Sequence, residues 1–375
     1  MDLAGLAGSH ITMKASMRRL GPVLILLALI VLSCFGLTQA AQAASLQPVC
    51  ATPEQAIHEQ GYVPINGIEQ WITIKGARCS NPVILFLHGG PGNPLSPFAD
   101  TIYAGWEQHY TLVQWDQRGA GMTYSKNRPS EDTKLSIEQM RDDGIAVATY
   151  LQQHLQQHLG QQKVILMGSS WGSILGVYMA KARPDLFHAY IGTAQVVNAQ
   201  ANLSSMYRQI LTLAQAAKDT VTVEKLTALG APPWRDPRNF GILRRFDRKY
   251  EALVTDAPPK SWWQPAAPYA TPQALADAEA GDDYSYIQFM GWQGDGMFSR
   301  VDLPALGTAF GLPVYLIMGE EDLLSSAAIA RNYFDSIQAP HKSFVLVKRA
   351  GHDPNQAVLD AQWRVLREQV TPLLH

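Results

Sequence analysis

A serine flanked by glycines lies where a predicted strand turns into a predicted helix. Residues 168–172 read Gly-Ser-Ser-Trp-Gly, after the apolar run Lys163–Met167 and before the helical stretch Ser173–Ala182. A nucleophile on so tight a turn needs residues without side chains two positions before it and two positions after it. Ser170 meets that condition, whereas Ser169 has glycine at neither offset. The pattern therefore predicts Ser170 as a nucleophile, with helix amides behind it that favour developing negative charge.

A serine nucleophile needs a base, and the base needs a carboxylate that orients it. Two later apolar runs are predicted strands, and the first, Pro313–Met318, leads to Asp322. The second, Ser343–Val347, leads to His352. Because the carboxyl ends of parallel strands meet at one edge of a sheet, we expect Ser170, Asp322 and His352 to converge there.

Other acidic residues compete for the orienting role. Glu320 and Glu321 directly precede Asp322 and are the alternatives to it. Asp353 adjoins His352 in the sequence, and we expect its carboxylate to point elsewhere. The acid of the predicted site is therefore narrowed to one short segment, with Asp322 as the preferred candidate.

A glycine-rich turn follows a further predicted strand, Pro82–Leu87. Residues 88–92 read His-Gly-Gly-Pro-Gly, and glycines let a backbone approach a ligand closely. Because proline has no N–H, we predict that the N–H of Gly90 binds a developing oxyanion together with the N–H of Trp171. A plain Gly-Pro turn is the alternative, and His88 is expected to pack in or order this loop.

Short apolar runs alternate with helical stretches along much of the chain. Six runs are predicted strands: Ile68–Lys75, Pro82–Leu87, Tyr110–Trp115, Lys163–Met167, Pro313–Met318 and Ser343–Val347. Continuous apolar strands separated by helices, such as Ser136–Leu159 and Gln356–Leu374, are typical of a mostly parallel sheet buried on both faces. The sequence therefore predicts an α/β fold.

The alternation of strands and helices stops between Val197 and Ala305. This stretch has a helical pattern and is rich in alanine and glutamine early, then in proline and tryptophan. Insertions of about a hundred residues in a compact domain usually serve a function, such as covering a site. We therefore expect a core formed by residues 44–196 and 306–375, with residues 197–305 inserted as a helical cap.

Together these motifs resemble the α/β-hydrolase fold and, within it, the proline iminopeptidase group of serine aminopeptidases. The resemblance depends on residues 88–92, on Asp-Gln-Arg-Gly at 116–119, on Gly-Ser-Ser-Trp-Gly-Ser at 168–173, and on the segments around Asp322 and His352. It implies a mostly parallel central sheet flanked by helices, a Ser–Asp–His triad, an inserted helical cap, and neither a cofactor nor a metal. Arg118 and Asp116 are expected to fix the loop that carries the glycine motif.

In aminopeptidases of this group, acidic cap residues hold the free α-ammonium of the substrate. The resemblance makes Glu251, Asp282, Asp283 and Asp295 candidates for that role in this chain. The alternative is that these charged cap residues are simply solvated.

The predicted activity is that of a serine hydrolase that works through an acyl-enzyme. The resemblance implies an aminopeptidase that releases N-terminal proline or a small residue, and the alternative is a carboxylesterase acting on small acyl esters. A small peptide or ester is thus the expected partner. A hydrolase-fold binding protein without turnover is a third hypothesis, which the complete set of three residues disfavours. Epoxide hydrolases and haloalkane dehalogenases resemble this fold with an aspartate nucleophile, so Ser170 argues against them.

Residues 1–43 are predicted to be a cleaved signal peptide. A basic segment precedes the apolar run Val23–Leu32, which is shorter than the roughly 20 residues that span a bilayer, and small residues lead to a cleavage site near Ala44. We therefore expect a secreted or periplasmic protein without stable membrane insertion after cleavage. An uncleaved anchor and lipid attachment at Cys34 are alternatives, and Met13 is an alternative start.

The composition excludes several classes of protein. Of the 375 residues, 47% are hydrophobic and 17% charged, with a formal net charge of −2. This is a globular composition, without the basic excess of a dedicated nucleic-acid binder. After signal cleavage Cys50 and Cys79 remain, and two cysteines in an exported chain favour one disulfide between them, with two unrelated thiols as the alternative. The sequence leaves the oligomeric state open.

Overall fold

The computed structural model describes residue 50 and residues 52–130, 132–159 and 163–374. The predicted signal peptide (residues 1–43), the lipidation candidate Cys34 and the alternative start Met13 lie outside these residues. Within them, no helix combines the length and the apolar character that crossing a membrane requires.

Eight strands of the described chain form one sheet. They are β1 (Ile57–Ile65), β2 (Ile68–Gly76), β3 (Val83–Leu87), β4 (Thr111–Trp115), β5 (Val164–Ser169), β6 (Phe187–Thr193), β7 (Val314–Gly319) and β8 (Lys342–Val347). Their order across the sheet is β1-β2-β4-β3-β5-β6-β7-β8. Strand β2 pairs antiparallel with β1 and with β4, and the other neighbours run parallel. The prediction of a mostly parallel sheet is therefore confirmed.

The central strands are apolar because both of their faces are covered. Strands β3, β4 and β7 are buried along their whole length. Side chains of a strand alternate between the two faces of a sheet. Accordingly, Leu85 and Leu166 pack in one hydrophobic cluster, whereas Ile84 and Ile165 pack in a second.

Helices connect the strands and form the insertion. They are α1 (Ala99–Ile102), α2 (Gly121–Lys126), α3 (Ile137–Leu159), α4 (Trp171–Ala182), α5 (Ala199–Ala216), α6 (Thr220–Leu229), α7 (Arg238–Glu251), α8 (Pro272–Met290), α9 (Ala327–Ser336) and α10 (Gln356–Val365). Helix α3 begins directly after Ser136, whose Oγ accepts the N–H of Gln139 at 3.1 Å. Beyond α10, a π-helical turn, Leu366–Val370, and a 3-10 turn, Thr371–Leu373, continue the predicted C-terminal helix.

The position of the helical insertion follows from this element order. Helices α5, α6, α7 and α8 all lie between β6 and β7, within the stretch where the sequence loses its strand pattern. Two strands of the sheet, β1 and β6, were not predicted.

The two cysteines among the described residues are joined. Cys50 and Cys79 form a disulfide with a Cα–Cα distance of 6.0 Å, and both are buried. The bridge connects the segment before β1 to the turn that follows β2.

Candidate active site

Ser170 lies on the turn between β5 and α4. Its φ of +54° is in the left-handed region, which a residue with a side chain adopts only where its surroundings enforce it. Both flanking glycines are required sterically. A Cβ at Gly168 would overlap the carbonyl of Gly172, and a Cβ at Gly172 would overlap the carbonyl of Leu87.

Three side chains form a chain of hydrogen bonds at the carboxyl end of the sheet. His352 Nε2 lies 2.9 Å from Ser170 Oγ. His352 Nδ1 lies 3.1 and 3.2 Å from the two carboxylate oxygens of Asp322. The three residues follow the parallel strands β5, β7 and β8. Neither Glu320 nor Glu321 has a side-chain hydrogen bond to His352 within the described chain.

Burial and charge shift the pKa values of His352 and Asp322 in opposite directions. Burial lowers the pKa of His352, but the Asp322 carboxylate raises it by a larger amount. The pKa of His352 therefore lies above its usual value of 6.5. Burial raises the pKa of Asp322, yet the charge and hydrogen bond of His352 and the bonds from Ser325 leave it below 3.8. A carboxylate that accepts the Nδ1–H leaves the Nε2 lone pair facing the hydroxyl of Ser170.

Ser325 is a further member of this cluster that the sequence analysis missed. Its N–H donates to Asp322 Oδ1 at 2.7 Å, and its hydroxyl donates to Asp322 Oδ2. The same hydroxyl lies 3.2 Å from His352 Nδ1. A serine three residues after an aspartate commonly closes such a local turn, and that spacing was the available signal.

Glu251, at the end of α7, contacts both loops that carry the acid and the imidazole. Its carboxylate accepts the N–H of Leu323 at 2.8 Å and the N–H of His352 at 2.9 Å. A Cβ at Gly351 would overlap this carboxylate. Burial raises the pKa of Glu251, and so does the nearby charge of Asp322. Glu251 was predicted to bind substrate, but the structure places its carboxylate on the backbone of these loops.

The two predicted oxyanion donors belong to the two segments that adjoin the nucleophile. Trp171 is the first residue of α4, and Gly90 has a φ of +107° in the loop after β3. A Cβ at the neighbouring Gly89 would lie 3.3 Å from Ser170 Cβ, so this loop approaches the nucleophile closely. The N–H groups of Gly90 and Trp171 donate to no residue that the structure describes.

His88 and Gln117 connect these two donor segments. His88 Nε2 accepts the N–H of Gln117 at 3.1 Å, and His88 Nδ1 lies 2.8 Å from the carbonyl oxygen of Gly89. Gln117 Oε1 in turn accepts the indole N–H of Trp171 at 2.8 Å. Burial lowers the pKa of His88 to about 4, so it is a neutral histidine that orders the loop.

Asp116 and Arg118, both in the Asp-Gln-Arg-Gly segment at 116–119, form hydrogen bonds with different residues. Asp116 accepts a hydrogen bond from Ser96 Oγ at 2.5 Å and from the N–H of Met122 at 2.9 Å, and burial raises its pKa to about 7. Arg118 Nε donates to Asp143 at 2.7 Å. Asp116 also borders the cavity above Ser170.

Ser170 and His352 open into a cavity of about 880 Å³ between the end of the sheet and the inserted helices. One wall is apolar and includes Leu95, Phe98, Trp263 and Leu275. Helix α7 contributes Arg244, Arg245 and Arg248, and helix α8 contributes Glu279 and Asp282. Among the described residues, no group of three or more His, Cys, Asp or Glu side chains is arranged to hold a metal ion.

The acidic residues predicted to bind an ammonium group differ in whether they line the cavity. Asp282 lines the cavity and is half-buried; burial and the charge of Asp283 raise its pKa, while Arg248 lowers it. Asp283 is exposed. Neither Asp283 nor Glu251 is among the described residues that line the cavity. Glu279 lines the cavity and was not predicted; its spacing of three residues from Asp282 on one helix was the available signal.

Comparison with known proteins places this geometry in a family. The alpha/beta hydrolase fold family matches residues 82–355. A probable aminopeptidase of Bacillus subtilis, YbaC, is 30% identical over 300 residues, 78% of this chain and 89% of that protein. A probable proline iminopeptidase of Streptomyces coelicolor is 25% identical over 294 residues, 73% of this chain and 84% of that protein. The crystal structure of VinJ shares the fold, with a TM-score of 0.59 at 18% identity over 84% of this chain and 99% of that one. The chain therefore belongs to the alpha/beta hydrolase family, in its proline iminopeptidase-like branch, and is a hydrolase.

Proposed function

We propose that the protein is a serine hydrolase in which Ser170, His352 and Asp322 act as a catalytic triad. The observation that carries the proposal is the hydrogen-bonded chain from Ser170 Oγ through the imidazole to the Asp322 carboxylate. Ser170 attacks the substrate carbonyl while His352 Nε2 takes its proton and later delivers it to the leaving group. Water then attacks the acyl-enzyme while His352 Nε2 takes its proton, and the imidazolium returns that proton to Ser170 Oγ as the acid product leaves.

We assign stabilisation of the tetrahedral intermediate to the N–H groups of Gly90 and Trp171. Their lack of a described partner and their place beside Ser170 support this role. Each such donor contributes about 3–4 kcal/mol to lowering the barrier. The hydrogen bonds among His88, Gln117 and Trp171 hold the two donor segments in fixed positions before the substrate binds.

The proposed substrate is a peptide with a free N-terminal proline or small residue. Two relatives carry the names probable aminopeptidase and probable proline iminopeptidase. Asp282 and Glu279 supply carboxylates in the cavity that would hold an α-ammonium group. The second candidate is a carboxylesterase, which the apolar wall around Phe98 and Trp263 favours because it suits an uncharged acyl group.

Prolyl and acetyl-prolyl anilides distinguish the two activities. Acetylation removes the ammonium charge and leaves the scissile bond unchanged, so an aminopeptidase should hydrolyse the free amine at least about tenfold faster. Equal rates would remove the case for ammonium recognition. A higher kcat/KM for p-nitrophenyl esters, together with equal anilide rates, would establish the esterase instead.

The domain organisation and location are also proposed. We assign residues 197–305 to a cap over the site, because α7 and α8 from this stretch line the cavity. We assign the protein to the periplasm or exterior after removal of residues 1–43. N-terminal sequencing of the protein from fractionated cells tests this: a mature chain that begins near Ala44 agrees with it, and an intact start in the membrane fraction contradicts it.

A further inference from the structure

Helix α7 presents one continuous face to the cavity. The residues of that face are Phe240, Gly241, Arg244, Arg245 and Arg248. Positions separated by four residues, together with their immediate neighbours, share one side of a helix. Three of these five residues are arginines, whose guanidinium groups are charged at every physiological pH.

The three arginines of this face differ in how they are paired. Arg244 forms an ion pair with the buried Asp247, and its Nη2 lies 3.8 Å from Asp353. Arg248 Nε also lies 3.8 Å from Asp353, beyond the usual length of a hydrogen bond. Arg245 has no hydrogen bond or ion pair with any described residue. The guanidinium donors of Arg245 and Arg248 are therefore available to a ligand, whereas Arg244 is paired with Asp247.

A second helix gives the cavity acidic side chains. Helix α8 contributes Asp282 and Glu279, and neither forms an ion pair with a residue of the described chain. The charge of Arg248 lowers the pKa of Asp282, so the basic and acidic groups of the cavity act on each other. A ligand with a positive group at one end and a negative group at the other is complementary to this arrangement.

We propose that the cavity binds both ends of a short peptide, the α-ammonium at α8 and the C-terminal carboxylate at Arg245 and Arg248. The enzyme is then selective for dipeptides and tripeptides with a free C-terminus. This inference rests on the proposed aminopeptidase function. Guanidinium groups bind carboxylates through paired, charge-assisted hydrogen bonds. A cavity of about 880 Å³ has the size of sites that enclose small molecules.

The test compares prolyl-leucine with prolyl-leucinamide, which differ only in the C-terminal charge. For the wild-type protein we expect a kcat/KM at least about tenfold higher for the free acid. In the Arg245→Gln, Arg248→Gln double variant this ratio should fall to about one. Arg238→Gln is the matched control, because Arg238 lies on the same helix, pairs with Asp236 and is absent from the described lining; it should keep the wild-type ratio.

A wild-type ratio near one, or a high ratio that survives in the double variant, would overturn the inference. Cleavage of a prolyl anilide alongside either result would leave the proposed aminopeptidase standing, whereas failure to cleave anilide and dipeptides alike would remove that function. Calorimetric binding of the same acid and amide to Ser170→Ala repeats the comparison without turnover. Each single arginine variant supplies the measurement if the double variant does not fold, as thermal unfolding reports.

Discussion

The sheet side and the cap side of the cavity hold their polar groups in different ways. On the sheet side, His352 lies 2.9 Å from Ser170 and within 3.2 Å of Asp322, and the donor loops are joined through His88 and Gln117. On the cap side, Arg245 has no described partner, and Arg248 lies 3.8 Å from Asp353. The sheet side is thus preorganised for one reaction, whereas the cap side keeps charges available to a ligand. Reaction type and substrate choice therefore belong to different regions.

Removing the nucleophile should have the largest effect. Ser170→Ala deletes the oxygen that attacks the carbonyl, and we expect kcat to fall at least about 10,000-fold because the remaining triad has nothing to activate. Ser169→Ala is the matched control and should keep kcat within the same order of magnitude. A fluorophosphonate probe should label the wild-type protein and the control only. Labelling that persists in Ser170→Ala would place the nucleophile elsewhere.

A pair of glycine substitutions tests the rigidity of the two regions. A Cβ at Gly172 would overlap the backbone carbonyl of Leu87, which cannot move aside, so Gly172→Ala should lower the free energy of unfolding by about 3 kcal/mol or more. Gly241 lies in helix α7 of the cap, and the nearest atom to its Cβ position is Tyr286 Oη at 3.7 Å. Gly241→Ala should therefore raise stability by about 0.5–1 kcal/mol. Urea unfolding of both variants checks this, and equal losses would contradict the contrast.

The parts of the fold that sequence patterns predicted are those with strong local constraints. Strands β3, β5 and β7 read as apolar runs because both faces are buried. Strand β1 lies at the edge and has mixed burial, so its sequence shows no clear alternation. A signal for it was present in Asn66-Gly67, where both residues have positive φ, as in the favoured two-residue hairpin turn. Strand β6 was missed because His188 and Gly192 interrupt its short apolar run.

The cap could not be assigned residue by residue from the sequence. Glu251 and Asp282 are both acidic residues on cap helices, and their spacing carries no information on which one faces the cavity. Tertiary packing decides it: the end of α7 packs against the loops of Asp322 and His352, and α8 lines the cavity that Ser170 also borders. Gln117 was missed for a similar reason, since an amide side chain acquires its role only from its neighbours.

Glu251 joins the two regions, and its substitution should change the pH dependence of activity. Gln at this position presents an amide N–H to one of the two backbone N–H donors, which leaves a buried donor unpaired and costs about 1–3 kcal/mol of stability. It also removes a negative charge near His352. The base must be neutral, so activity is lost as pH falls through the pKa of His352, which lies above 6.5. In Glu251→Gln that acidic limb should move to lower pH.

The control for this prediction is Glu224→Gln, because Glu224 is exposed on cap helix α6. It should leave both the acidic limb of kcat/KM and the unfolding midpoint as in the wild-type protein. A Glu251→Gln variant that raises KM alone, with the acidic limb unmoved, would instead assign this carboxylate to the substrate.

Neighbouring aspartates on α8 give the most local test of the contrast, because only one of the two lines the cavity. Asp282 lines the cavity and Asp283 faces solvent, so the two differ in access to the substrate while sharing the same helix and nearly the same position. Loss of one charged partner of an ammonium group costs about 1.5–3 kcal/mol, so Asp282→Asn should raise KM for a prolyl anilide about tenfold or more while kcat changes little. Asp283→Asn should leave KM near its wild-type value, because solvent screens an exposed charge. Equal changes in the two variants would mean that the acidic wall attracts the substrate only through its summed charge, and that no single carboxylate of α8 holds the ammonium.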